Sequence, residues 1–166
     1  MTEAGRRVLG PPEGRVVATI HVRDRRLERI RLEPVVAARE EAGPPEQCGV
    51  ADAVHAWLGA VARDPRCPPP PVPLAEPRTP FQGRLRRRLQ ALAPGETVTY
   101  RELARALGSA PRAVAMAARA NPLPLVVPCH RVVAVAGPGG YAGAAEGPLA
   151  SFKAWLLERE AGHGVD

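Results

Sequence analysis

Two short runs rich in apolar residues, Val16 to Val22 and Leu27 to Leu32, flank a polar Arg23-Asp24-Arg25 and read as two strands joined by a turn. From Val50 to Val61 the period lengthens: Val54, Trp57, Leu58 and Val61 recur at helical spacing, which predicts a helix with Trp57 in a core. Residues 66–78 contain too many prolines for a helix or a central strand and read as an extended surface connector. Beyond it, Phe81, Leu85, Leu89 and Leu92 fall on one side of a predicted helix. Arg84, Arg86, Arg87 and Arg88 fall mostly on the other, in the manner of a solvated face.

Thr99-Tyr100-Arg101-Glu102 has the spacing of a capping box, opening a short helix that runs to Leu107. Gly108 suits a left-handed stop, and Ser109-Ala110-Pro111 suits a second start, so a small-residue helix follows from Arg112 to Ala120. Two short helices around a tight turn have the form of a helix-turn-helix, although many helical hairpins never meet DNA. A last helix spans about Leu149 to Glu160, with Leu149, Phe152 and Leu156 on one face. The expected fold class is an α/β N-terminal domain, a small sheet plus a helix, over residues 1–65. After the 66–78 connector comes a mostly α-helical C-terminal domain with a helix-turn-helix over residues 79–166.

Composition narrows the function classes. The 166 residues are 45% hydrophobic, yet no apolar run reaches membrane length, and the N-terminus lacks a signal peptide's apolar core. The three cysteines are odd in number and far apart, so no disulfide framework is expected and a reducing cytoplasm fits. A formal charge of +6 favours an anionic partner such as a phosphate backbone. Every basic residue except Lys153 is an arginine, however, so genome composition explains the excess equally well. Cys48, His55 and Cys67 lack the spacing of a zinc motif, and no metal or cofactor is expected.

The chemistry concentrates at Pro128-Cys129-His130-Arg131, entered through the apolar Leu123 to Val127. A thiol becomes a nucleophile as thiolate, and a nearby imidazole with the charge of Arg131 lowers the cost of deprotonation. Neighbouring side chains in extended backbone point in opposite directions, so a water is expected to link His130 to the sulfur. The bland alternative is an inert buried cysteine beside a core histidine.

Asn121-Pro122, Pro128-Cys129-His130-Arg131 and Gly140-Tyr141-Ala142-Gly143 together closely resemble the active-site segment of the O6-alkylguanine-DNA alkyltransferases, also called methylated-DNA–protein-cysteine methyltransferases. Thr79-Pro80-Phe81-Gln82 and Pro94-Gly95-Glu96-Thr97 resemble that family too; residues 1–78 resemble it weakly. The resemblance implies irreversible transfer of an alkyl group from guanine O6 in double-stranded DNA to Cys129, with the base rotated out of the helix. It implies catalytic roles for Cys129, His130, Glu160, Asn121 and Tyr100. Glu160 would orient His130, Asn121 would tie the recognition helix to the active-site turn, and Tyr100 would donate a proton to the departing purine.

It further implies DNA contacts from Arg112, Ala113, Ala115, Arg119 and Tyr100, with Arg112 filling the gap left by the extruded nucleotide. Tyr141, Ala142, Gly143 and Val132 would line the substrate pocket. Such a protein acts once, as a monomer, without a cofactor and away from membranes. Two departures stand out. Arginines occupy helix positions where relatives commonly carry an apolar residue and a tryptophan, and Ala144-Ala145-Glu146-Gly147-Pro148 lengthens the loop after Gly143. Two other readings are a non-catalytic sensor of alkylated DNA, which Cys129 disfavours, and a cysteine hydrolase, whose Cys and His would normally be distant in sequence.

Overall fold

The computed structural model describes residues 2–35 and 49–162. Three antiparallel strands, β1 (Thr2–Leu9), β2 (Val16–Arg23) and β3 (Arg26–Pro34), form a sheet in the order β1-β2-β3. In the central strand Val16, Ala18 and Ile20 are fully buried, with Ala18 opposite Leu32 and Ile20 opposite Ile30. β1 was not anticipated, because Arg6 and Arg7 interrupt its apolar pattern; its pairing with β2 supplies what its own sequence does not. The β2–β3 turn places both Asp24 (φ 49°) and Arg25 (φ 59°) in the left-handed region, which matches the twist of a two-residue hairpin.

Helix α1 (Gly49–Val61) lays Ala51, Val54, Trp57, Leu58 and Val61 into the core against this sheet. The proline-rich stretch that follows does more than cross a surface. Leu27 N donates to Pro73 O (2.8 Å) and Ala75 N to Leu27 O (2.9 Å), so it docks along the β3 edge, while Trp57 Nε1 donates to Cys67 O (3.1 Å). Prolines lack an N–H but keep their carbonyls, so Pro73 serves the edge as an acceptor and the donor comes from Ala75. Cys48 lies outside the described residues; His55 Nε2 is 3.2 Å from Arg6 O. Among the described residues no three His, Cys, Asp or Glu side chains gather as metal ligands would, and no helix is long and apolar enough to cross a membrane.

The remainder is mostly helical. α2 (Pro80–Gln90) is capped by Thr79, whose hydroxyl accepts from Gln82 N (3.1 Å), and Gln82 Oε1 accepts from Arg78 N (3.1 Å). α3 (Tyr100–Ala106) opens on a complete capping box between Thr99 and Glu102. Gly108 (φ 60°) makes the turn into α4 (Pro111–Arg119), which begins without a side-chain cap but with proline in its first turn. α5 (Pro148–Glu160) closes the fold. A two-residue parallel pair, β4 (Val98–Thr99) with β5 (Val132–Val133), brings the start of α3 beside the segment carrying Cys129. Ile30 N donates to Pro122 O (2.9 Å), tying the N-terminal sheet to the same segment.

Candidate active site

Between α4 and β5 the chain has almost no regular structure, so its shape rests on side chains. Asn121 Nδ2 donates to Val127 O (3.0 Å), and Asn121 Oδ1 accepts from Leu123 N (3.1 Å). Leu123, Leu125, Val126 and Val127 are buried beneath. The expectation of extended backbone at Cys129-His130 is corrected here. Cys129–Arg131 form one 3-10 turn, because the Pro128 carbonyl accepts from Arg131 N (3.1 Å) and curls the chain.

Burial pushes the Cys129 thiol up from its ordinary range. The nearby Asn121 amide, the charge of Lys153 and the Tyr141 hydroxyl pull it partly back. The resting group is therefore a protonated thiol that needs a base. That base stands next to it in sequence. His130 is 2% exposed, and its Nε2 lies 2.8 Å from Glu160 Oε1.

Glu160 is also buried, which raises its carboxyl, yet the hydrogen bonds and charges of His130 and Arg131 overcome this and hold it at about 2. An ionised carboxylate only accepts, so His130 Nε2 carries the proton. Nδ1 is then left with its lone pair, buried and without a hydrogen-bond partner in the protein. Burial pushes the His130 pKa down more than Glu160 lifts it, so the ring stays neutral and ready to accept a proton.

Arg131 was expected to add charge beside the sulfur. Instead its Nε donates to Glu160 Oε2 (2.9 Å), its Nη2 to Glu160 Oε1 (2.9 Å) and its Nη1 to Leu92 O (2.6 Å). A planar guanidinium matches both carboxylate oxygens at once, and the pair is buried, so that geometry prevails. Gly95 N adds a further donor to Glu160 Oε2 (3.3 Å).

The cation that acts on the sulfur is Lys153, which the sequence reading noted only as the exception among arginines. It is fully buried; Nζ donates to Val132 O (2.7 Å) and Gly140 O (3.1 Å) and lies 5.9 Å from the Tyr100 ring centroid. Burial lowers its pKa to about 8, with the Cys129 charge acting the other way. Tyr100 is half-buried, and both burial and Cys129 raise its phenol, so it keeps its proton. Tyr141 is buried and shifted upward more strongly for the same reasons.

A cavity of about 290 Å3 opens beside Cys129, lined in part by Tyr141, Ala142 and Arg119. Gly143 (φ 89°) holds a left-handed backbone conformation that side chains rarely adopt, and a Cβ there would sit 2.9 Å from Arg119 Nε, which would have to move aside. Val132 is fully buried and is not among the residues lining this cavity; its carbonyl accepts from Lys153 Nζ. On α4, Arg112, Ala113 and Arg119 are exposed and Ala115 is half-buried. Met116, 64% exposed, joins them as an apolar group that no pattern had marked.

Residues 80–162, half of the 166, match the family model described as 6-O-methylguanine DNA methyltransferase, DNA binding domain. The methylated-DNA–protein-cysteine methyltransferase of Metallosphaera sedula is 44% identical over 80 residues, 48% of this chain and 48% of that protein. That of Methanocaldococcus jannaschii is 48% identical over 66 residues, 40% of this chain and 36% of that protein. The chain thus spans about half or less of the length of the curated relatives it matches.

Solved structures resemble it over a greater length. OGT of Mycobacterium tuberculosis in complex with DNA superposes with a TM-score of 0.67 at 28% identity, covering 96% of this chain and 94% of that one. The O6-methylguanine methyltransferase of Methanococcus jannaschii gives 0.60 at 26% identity, covering 96% of each chain. With half of its residues matched by the model and this fold around the cysteine, the chain belongs to the 6-O-methylguanine DNA methyltransferase family.

Proposed function

We propose that the protein repairs DNA by moving an alkyl group irreversibly from guanine O6 to Cys129. The observation that carries this reading is the buried thiol flanked by a neutral His130 whose Nε2 faces ionised Glu160 and whose Nδ1 is open. The Cys129 proton passes through a water to His130 Nδ1, and Glu160 and Arg131 stabilise the imidazolium that results. The sulfur attacks the alkyl carbon; the C–S bond forms as the C–O bond breaks, and its electron pair stays on the purine. Tyr100, held protonated, donates a proton to that purine. A thioether does not return to a thiol unaided, so each molecule acts once, as a monomer and without a cofactor.

Guanine O6 is engaged in base pairing, so the base must leave the stack before an in-line attack is feasible. In this reading α3 and α4 act as a helix-turn-helix on double-stranded DNA, with Arg112, Ala113, Ala115 and Arg119 facing the groove and Arg112 entering the emptied position. The exposed, small-residue face of α4 and the DNA complex of the M. tuberculosis relative support it. Tyr141, Ala142 and Gly143 form the lip over the base.

The test is intact and peptide mass spectrometry after incubation with a duplex carrying one O6-methylguanine. One methyl on Cys129, absent from Cys129→Ser, is the expected result. Tight lesion binding with no mass change would replace transfer by a non-catalytic sensor.

A further inference from the structure

We propose that the pocket beside Cys129 is suited to O6-alkyl groups ending in an anion, which Arg29 of β3 recognises. This rests on the alkyl-transfer reading above. The cavity of about 290 Å3 has to receive the rotated-out guanine together with its alkyl group. One wall is the loop with Cys129, Tyr141 and Ala142; another is β3, held there by the Ile30 N to Pro122 O hydrogen bond. The N-terminal sheet therefore reaches the same cavity as the reactive sulfur.

Its charges are all of one sign. Arg29, Arg31 and Arg119 line the cavity, and no aspartate or glutamate does. Arg31 is already paired, with Glu33 Oε1 at 2.9 Å from its Nη2. Among the described residues the Arg29 side chain has no hydrogen bond or ion pair, and Arg29 is half-buried. A guanidinium in a cleft, partly removed from water and paired with no acid, is complemented by a carboxylate, which accepts its N–H donors in one plane. A carboxyalkyl group supplies that carboxylate without altering the displacement. The C–O bond breaks, the C–S bond forms, and the carboxylate remains on the new S-alkyl cysteine.

The experiment measures single-turnover transfer from duplexes carrying O6-methylguanine, O6-(3-carboxypropyl)guanine or the corresponding neutral amide. The native protein should take the acid over the amide by roughly tenfold, the discrimination of one hydrogen bond to a charged group. Arg29→Met should erase most of that preference with methyl transfer unchanged, and Arg29→Lys should keep part of it. Equal rates for acid and amide in the native protein would overturn the proposal. So would an Arg29→Met protein slowed alike on all three duplexes, which would assign Arg29 to a DNA phosphate instead. Failure of the native protein on methyl as well would sink the alkyl-transfer reading itself, a distinct outcome.

Discussion

Two proline-rich, irregular segments cross this molecule, each carrying a cysteine, and they are fixed in different ways. The stretch around Cys67 is held through its backbone, by hydrogen bonds to Leu27 and to the Trp57 indole. The stretch around Cys129 is held through side chains: Asn121 inside the loop, Glu160 and Lys153 from α5. Backbone docking asks little of residue identity. A side-chain network demands particular residues, and those residues set the protonation states that chemistry needs.

Breaking the network at its centre should have the largest effect. Glu160→Ala leaves Arg131 buried without its carboxylate and His130 without an orienting partner. About 3–5 kcal/mol of stability in urea denaturation should be lost, and alkyl transfer should slow by about a hundredfold or more. Lys153→Met should come next. It removes the positive charge acting on the sulfur and strands the Val132 and Gly140 carbonyls, costing about 1–3 kcal/mol and roughly tenfold in single-turnover rate. If the rate is untouched while stability falls, Lys153 is only a structural tie.

The pH profile gives a finer comparison. The His130 pKa is lowered by burial, and Glu160 stays ionised down to about 2, so the base remains neutral as pH falls through 6.5. The acid limb of the transfer rate should therefore lie below that of a free imidazole; a limb at or above 6.5 would contradict the protonation states assigned here. Cys67→Ser should do least. Stability should change by no more than about 0.5 kcal/mol, and the native chain treated with alkylated duplex should carry nothing on Cys67.

What the sequence disclosed and withheld follows the same division. The helices after residue 79 were legible because their starts are written locally: Thr79 with Gln82, Thr99 with Glu102, and proline at the first turn of α4. Cys129, His130, Asn121 and Glu160 were legible through the family resemblance, and His130 and Glu160 do meet. β1 was not, since a strand with Arg6 and Arg7 in its middle depends on β2 for its definition. Nor was β4 with β5, as two residues are too few to carry a period. The acceptors of Lys153 lie on β5 and on the loop after it, well before Lys153 in the chain, so nothing beside it on α5 marks its burial. Arg131 was noticed with the wrong partner, because adjacency suggested the sulfur while bidentate geometry selected Glu160.

The docking of the proline-rich stretch on β3 also has a bearing on how the protein behaves at high concentration. An uncovered strand edge is a template onto which another chain can add a strand, the first step toward aggregation. Here the chain covers the beginning of that edge with its own residues around Pro73 and Ala75, and farther along with Pro122. Neither covering stretch can itself become an ordinary strand that recruits a further one, because its prolines lack the N–H a growing sheet requires.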